Sequence, residues 1–358
     1  MNLLFISHLS GKKSAGPCWS VPARIKAQTV IDNVFWLNWG NAELDHWKDT
    51  GVFHKSVDIL NCDLQNLPTP FNNPDLVIFE GFYSLDSAKF ARKLERVGIP
   101  YIINPRGSLT KQARSNGSKW KKQIAHWLYF DRFIKNASSI QFLTKQEYED
   151  SIFGCKNHFL LPNGFSTPST IKSSFSKDVI KVVFIGRIDI YHKGLDILVE
   201  ACFPIAETLR KAGVIFDIYG PLNDNAEKLK SLLREKGLDD MFELKGETSG
   251  KDKEQVLLNA DAFVLTSRFE GHPMGLIEAL AYGLPAIVTV GSNMKEEIEV
   301  ADAGWACETS VESVRNGLLK MIEEKDCFIV KSINAAILAK KYDWNVLAKR
   351  LHEELKKL

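Results

Sequence analysis

The chain has 358 residues, more than one average core fills, so two domains are expected. It is 45% hydrophobic and 25% charged, with a net charge of +2, which excludes disordered and collagen-like classes and argues against a general nucleic-acid binder. Residues 1–165 hold 20 Lys and Arg against 14 Asp and Glu, and residues 166–358 hold 26 against 30, so the first half carries +6 and the second −4.

In chain order, residues 3–7 read as a buried strand and 10–20 as a polar, glycine-containing loop. A helix is expected at 21–30, and short strands at 34–37, 57–60 and 76–79. An amphipathic helix at 84–97 leads to a strand at 101–103, which Asn104-Pro105-Arg106-Gly107 breaks. A strand at 140–143, a helix at 145–152 and a strand at 159–161 follow, closed by the turn Pro162-Asn163-Gly164. Residues 166–178, rich in Ser, Thr and Lys, form the best linker candidate.

The alternation then restarts. Strands are expected at 182–185, 214–219, 242–244, 262–265 and 286–289, with helices at 195–209, 226–236, 253–259, 274–282 and 311–324. Repeated β–α alternation predicts parallel sheets with helices on both faces. Two runs joined by one linker predict an α/β protein of two doubly wound, Rossmann-like domains, 1–165 and 166–342. The final segment, 343–358, reads as a helix with Leu347, Leu351 and Leu355 on one face, returning to the first domain.

Ligands of such sheets bind beyond the strand C-termini. Two stretches of the second half have the chemistry for this. In the first, the strand 262–265 runs into a loop with Gly271 and Pro273, and a helix begins at Met274. A helix start offers free N–H groups and a positive dipole end to a phosphate. Glu270 and Glu278 flank it, and carboxylates accept hydrogen bonds from sugar or ribose hydroxyls. The bland alternative is an ordinary βα turn with solvated glutamates. In the second stretch, Arg187 follows a strand and Lys193 starts the next helix. An unpaired cation there is unfavourable unless an anion is bound, and the pair suits a diphosphate. The alternative is two surface cations.

GRIDIYHKGLDILVEA at 186–201 and EGHPMGLIE at 270–278 together resemble glycosyltransferase family 4, with LPNGF at 161–165, IYGP at 218–221, LKGE at 244–247 and YDWNVLAKRL at 342–351 in support. The resemblance covers the second domain and, more weakly, the first. It implies the GT-B fold, two domains facing across a cleft, and retaining transfer of a hexose-type sugar from a nucleotide-sugar, a UDP-sugar first and a GDP-sugar next. The product would enter cell-surface polysaccharide or lipopolysaccharide, with the acceptor side in the first domain. Glu270 would bind donor sugar hydroxyls and Glu278 the ribose. Arg187 and Lys193 would neutralise the leaving diphosphate. Gly271 lies in the loop between, and Met274, Gly275 and Leu276 would offer backbone amides. The base would lie near Gly220-Pro221 and Lys245-Gly246. No metal or other cofactor is expected, and the reaction runs on the front face without a protein general base.

The first domain departs from the family. Many members carry a Gly-Gly pair in the first loop, where this chain has Ser14-Ala15-Gly16-Pro17 and only Gly16 is available for close backbone approach. Many carry a histidine where this chain has Asn104-Pro105-Arg106-Gly107. Arg106 is therefore either a contact to a phosphate or acceptor anion, or part of a structural turn. His8 is a lesser acceptor-side candidate, set against a buried, satisfied histidine.

Segment 111–135 interleaves seven cations with Trp120, Trp127, Tyr129, Phe130 and Phe133 against one acid, Asp131. It reads as a candidate contact with an anionic membrane surface, set against a solvated cationic helix face. If the membrane contact holds, the acceptor is lipid-linked, on a polyprenyl diphosphate or a lipopolysaccharide core. The six cysteines have no CxxC spacing, the first residues lack a basic n-region, and no run approaches a membrane span, so a cytoplasmic protein is expected, with the inner membrane face as the place of work. The chain lacks a complete P-loop, a GxGxxG fingerprint and an Asp-x-Asp pair. The competing readings are a sugar-nucleotide epimerase or hydrolase of the same fold, and a non-catalytic nucleotide-sugar-binding partner.

Overall fold

The computed structural model describes residues 1–12, 15–58, 63–110, 130–151, 157–176 and 178–358. The chain forms two compact units, Met1–Phe165 with Tyr342–Leu358, and Ser166–Lys341.

The first unit holds a seven-stranded sheet in the order β3-β2-β1-β4-β5-β6-β7. Its strands are β1 (Asn2–Ser7), β2 (Asn33–Asn38), β3 (Phe53–Lys55), β4 (Leu76–Glu80), β5 (Tyr101–Asn104), β6 (Ser139–Phe142) and β7 (His158–Leu160), all paired in parallel. The central strands are almost wholly apolar because a parallel sheet buries both faces. Successive side chains alternate between two cores. Leu4, Ile6, Val77 and Phe79 share one with Ala91 and Leu94 of the helix Leu85–Val97. Leu3, Phe5, Leu76 and Ile78 share the other with Val21 and Ile25 of the helix Pro17–Gln28. The terminal helix Trp344–Leu355 packs on this second face and buries Leu347, Leu351 and Leu355. Its start is fixed by Asp343, whose carboxylate accepts from the Asn345 N–H at 2.8 Å.

The second unit holds a six-stranded parallel sheet in the order β10-β9-β8-β11-β12-β13. The strands are β8 (Ile180–Ile185), β9 (Val214–Tyr219), β10 (Phe242–Gly246), β11 (Ala262–Leu265), β12 (Ala286–Thr289) and β13 (Gly304–Cys307). Two doubly wound parallel units are the Rossmann-like pair expected of the GT-B class. In each, chain direction across the sheet reverses once, between β1 and β4 and between β8 and β11, and the crevice outside such a pair is where ligands bind.

Several elements differ from expectation for local reasons. The helix expected over 195–209 is broken into Leu195–Cys202, a 3₁₀ turn at Phe203–Ile205 and Ala206–Lys211, because Pro204 lacks the N–H and crowds the preceding turn. The first helix starts earlier than expected because Pro17 and Pro22 have φ values suited to it, Pro17 standing at its first position. The strand expected over 57–60 is a 3₁₀ turn at Ser56–Asp58, with residues 59–60 outside the described set, and the strand is Phe53–Lys55 instead.

Candidate functional site

The second unit's reversal point brings distant residues together. β8 ends at Ile185, and the chain passes Gly186 and Arg187 into a loop that re-enters as the helix Leu195–Cys202. Gly194 caps that helix with φ +61°, and a Cβ there would lie 1.9 Å from the Thr266 carbonyl oxygen. Only glycine permits this approach. The Thr266 hydroxyl in turn donates to the Gly194 carbonyl at 2.8 Å. The loop after β8 is thereby pinned to the end of β11.

Pinning the loop sets Lys193 against Glu270. Lys193 Nζ donates to Glu270 Oε1 at 2.6 Å, with the side chains 17% and 8% exposed. Ser267 Oγ donates to the same oxygen at 2.5 Å, and Asn293 Nδ2 donates to the Glu270 carbonyl at 2.5 Å. Lys193 is thus a paired cation, not the unpaired one the sequence suggested. One of its three protons is used, and Glu270 Oε2 is left to accept. The loop is held from its other side by Arg268, which forks onto Asp196 with two bonds of 2.7 Å and donates to the Tyr191 carbonyl at 2.6 Å.

The helix Met274–Ala281 starts directly over β8: a Cβ on Gly275 would lie 2.8 Å from the Ile185 carbonyl oxygen. Of the amides expected to be on offer, Met274 donates to the His272 carbonyl and Leu276 to the Pro273 carbonyl, both at 3.0 Å. These tight bonds belong to a helix start without a side-chain cap. Glu278, one turn on, is held by Lys253 from the helix Gly250–Asn259. Sequence reasoning passed over Lys253, since nothing in its neighbourhood marks it and its partner lies 25 residues away. His272, inside the same motif, is pushed down to about 4 by burial, so its imidazole is neutral at pH 7.

The remaining donor-side candidates separate into two groups. The Gly220 N–H donates to the Gly246 carbonyl at 2.9 Å, and a Cβ on Gly220 would lie 2.2 Å from the Gly186 carbonyl oxygen. Gly186, Gly220-Pro221 and Lys245-Gly246 therefore gather at the ends of β8, β9 and β10. Lys245 turns its ammonium toward Glu243 and Asp217, the latter at 3.8 Å. Arg187 does not join the Lys193–Glu270 pair: its side chain is 62% exposed and meets His192 Nδ1 at 3.0 Å and Asp189 at 3.7 Å. Gly271 and, in the first unit, Gly16 have open space where a Cβ would stand.

At the first unit's reversal point a cavity of about 510 Å³ is lined by His8 beyond β1, Trp39 and Asn41 beyond β2, and Glu80 and Tyr83 beyond β4. His8 is exposed here, which corrects the alternative of a buried histidine. Arg106 takes part in the turn that was its second alternative. Its φ is +51°, its side chain is 7% exposed, and it donates to Glu80 at 2.7 Å, Ser20 at 3.0 Å and Asn163 at 3.1 Å. These bonds tie it into a half-buried turn, and its Nη2 is left without a hydrogen-bond partner among the described residues. Arg24 meets the other Glu80 oxygen at 2.6 Å and Gln141 at 2.5 Å, and Asn104 donates to Glu80 at 3.1 Å. Burial alone would raise the Glu80 carboxyl, but the Arg106 and Arg24 guanidiniums outweigh it and hold it below the usual range. Burial lowers Arg24 to about 10.

The cationic aromatic segment expected over 111–135 lies outside the described residues from 111 to 129. Its end, Asp131–Lys135, is helical and buries Phe133 and Ile134. No described helix is long and apolar enough to cross a membrane, and among the described residues no cluster of His, Cys, Asp and Glu could hold a metal ion.

The family described as Glycosyl transferases group 1 matches residues 167–353. The amylovoran biosynthesis glycosyltransferase AmsK of Erwinia amylovora is 29% identical over 191 residues, 50% of this chain and 45% of that one. The N,N'-diacetylbacillosaminyl-diphospho-undecaprenol alpha-1,3-N-acetylgalactosaminyltransferase of Campylobacter jejuni is 32% identical over 97 residues, 27% of this chain and 26% of that one. These matches span less than half the length of either relative. Among solved structures, Anabaena Alr3699/HepE in complex with UDP and glucose superposes with a TM-score of 0.71 at 16% identity, covering 100% of both chains.

Proposed function

Because the chain belongs to the Glycosyl transferases group 1 family, we propose that it is a retaining glycosyltransferase whose donor, a UDP-sugar, binds at the β8–β11 reversal point of the second unit. The observation that carries this reading is the Lys193–Glu270 pair, two residues 77 apart in sequence held at 2.6 Å beside a helix start. UDP in the Anabaena structure supports the choice of base.

In this reading the glycosidic C1–O bond to the diphosphate breaks, and the acceptor hydroxyl forms the new C1–O bond on the same face. The hydroxyl proton passes to the departing diphosphate oxygen. Lys193, freed in part from Glu270, and the helix start at Gly275 take the charge that develops on the diphosphate. Arg187, on a flexible exposed stem, reaches the same phosphates only after leaving Asp189. Glu270 accepts from sugar hydroxyls through Oε2, and Glu278, held by Lys253, accepts from the ribose. Lys193 and Arg187 supply the positive charge, so the step calls for no metal. The acceptor is a saccharide carried on a lipid diphosphate, as the name of the Campylobacter relative suggests, and its sugar end enters the His8–Tyr83 cavity of the first unit. The product would be a cell-surface polysaccharide.

A thermal-shift series with UDP-, GDP- and ADP-sugars tests the donor, because a ligand that binds only the native state raises its stability. UDP-sugars should give the largest shift, and Lys193→Ala should abolish it. No shift with any nucleotide would remove the reading and favour a non-catalytic role. Release of free sugar or of an epimer from UDP-sugar without acceptor would favour the hydrolase or epimerase alternative.

A further inference from the structure

β11 and β12 are parallel neighbours, with Leu265 beside Val288, so the loops that follow them leave the sheet side by side. Glu270 stands in the first loop. The second is a 3₁₀ turn at Val290–Ser292, closed by Asn293 in the left-handed region with φ +59°. Asparagine is one of the few residues besides glycine that adopts this conformation at small cost. The two loops meet at three places in order. Thr289 Oγ1 donates to the Ser267 carbonyl at 2.6 Å. Gly291 lies flat against the same peptide and the next: a Cβ there would stand 2.2 Å from the Ser267 carbonyl oxygen and 2.3 Å from the Arg268 carbonyl carbon. Asn293 Nδ2 then reaches the Glu270 carbonyl at 2.5 Å. From the other side, the loop after β8 accepts the Arg268 N–H at the His192 carbonyl, 3.0 Å away. Its bond to Glu270 runs through the side chain, at Lys193, whereas Asn293 holds the main chain.

We infer that Asn293 is a positioning residue for Glu270 and thereby sets the affinity of the site for the sugar part of the donor. A glutamate side chain has three rotatable bonds, so anchoring one oxygen does not fix the direction of the other. Lys193 and Ser267 hold Oε1, and Asn293 fixes the peptide from which the side chain projects. With both ends held, Oε2 faces one way. Asn293 is neutral and acts on a main-chain oxygen, so its removal moves the carboxylate without changing the charge that a diphosphate meets. The inference rests on the proposed donor site, in which Glu270 accepts from sugar hydroxyls. It separates two parts of donor binding that the site otherwise joins: Asn293 governs the sugar and not the nucleotide.

The test measures, by calorimetry on the full chain, the affinity for UDP and for the tightest binder among UDP-glucose, UDP-galactose and their N-acetylhexosamine counterparts. Asn293→Gly keeps the left-handed backbone and removes the amide. It should weaken the UDP-sugar about tenfold and leave UDP within about twofold of the wild type. Asn293→Ala strains the backbone as well, so it should melt at a lower temperature yet give the same ratio of the two affinities. In a Glu270→Ala background, Asn293→Gly should not change that ratio further, an outcome that general loosening of the unit would not produce. The inference is overturned by UDP-sugar binding equal to the wild type in Asn293→Gly, by a loss that UDP shares equally, or by an undiminished effect in the Glu270→Ala background. A wild type that binds no UDP-sugar would instead sink the donor-site reading, and this inference with it.

Discussion

Breaking the Lys193–Glu270 pair from each side should have unequal consequences. At 2.6 Å and an effective dielectric constant of about 20, the two charges attract by about 6 kcal/mol. Desolvation of both offsets most of this, leaving a coupling of about 1–3 kcal/mol. Lys193→Ala leaves a carboxylate, 8% exposed, with only the Ser267 hydroxyl as a side-chain donor. Glu270→Ala leaves an ammonium on a long stem that can turn to water. The lysine variant should therefore lose about 2–3 kcal/mol in urea unfolding and the glutamate variant about 1 kcal/mol. The double variant should lose no more than the lysine variant alone. In transfer assays with UDP-sugar, each single variant should lose about 10²–10³-fold in kcat, the scale expected when one preorganised electrostatic contact is removed. Stability losses that add within about 0.5 kcal/mol would refute the coupling. Near-full activity in both variants would refute the donor site.

Gly194→Ala should cost about 2–4 kcal/mol, because left-handed backbone strain adds to a Cβ placed 1.9 Å from the Thr266 oxygen; urea unfolding checks the stability and calorimetry should show weaker UDP binding. Glu80→Gln leaves Arg24 and Arg106 buried without a counter-charge and should destabilise the first unit by about 3–5 kcal/mol in the same unfolding assay. The depressed folded pKa of Glu80 means that its contribution is present above the unfolded carboxyl value of about 4.3 and lost as pH falls through the lower folded value. Wild-type stability should therefore drop more steeply than that of Glu80→Gln below about pH 4, in denaturation midpoints measured across that range. Leu351→Ala, at a fully buried position of the terminal helix, should cost about 2–5 kcal/mol and lower the melting temperature measured by calorimetry.

Much of the fold is legible where burial leaves a regular trace. The strands β1, β4, β8 and β11 each contain an unbroken apolar run of at least four residues, and the helix Leu85–Val97 has both an apolar period and a Ser84 cap whose hydroxyl accepts from the Ser87 N–H. The short strands β3 and β13 are not legible, since Phe53-His54-Lys55 and Gly304-Trp305-Ala306-Cys307 carry neither a run nor an alternation long enough to count. The helix Phe328–Ala339 escapes for the opposite reason: it is apolar on its outer face as well as its inner one, so the 3.6-residue period is erased. At the site, Glu270, Glu278 and Lys193 are readable from their place beside turns and helix starts. Their partners are not. Lys253 and the Arg24–Glu80–Arg106 group become neighbours only when separate elements pack, and a linear pattern holds no record of that. Gly194 left a faint sign, a glycine just ahead of an apolar helix, but the reason for it is a carbonyl oxygen 72 residues away.

The return of the last helix makes the second unit an insertion in the first. Phe165 and Tyr342, the residues on either side of it, are already joined: the Phe165 N–H donates to the Tyr342 carbonyl at 2.9 Å, and the Trp344 N–H donates to the Phe165 carbonyl at 3.0 Å. The exit and re-entry points of the chain therefore lie side by side, and a linker of a few residues would close the gap left by removing 166–341. Such a deletion should yield a host domain with an intact seven-stranded sheet, while the excised guest begins and ends at adjacent points of its own. Produced separately, host and guest would each be checked by urea unfolding, and offering saccharides to one and nucleotides to the other would test the proposed division of the two sites.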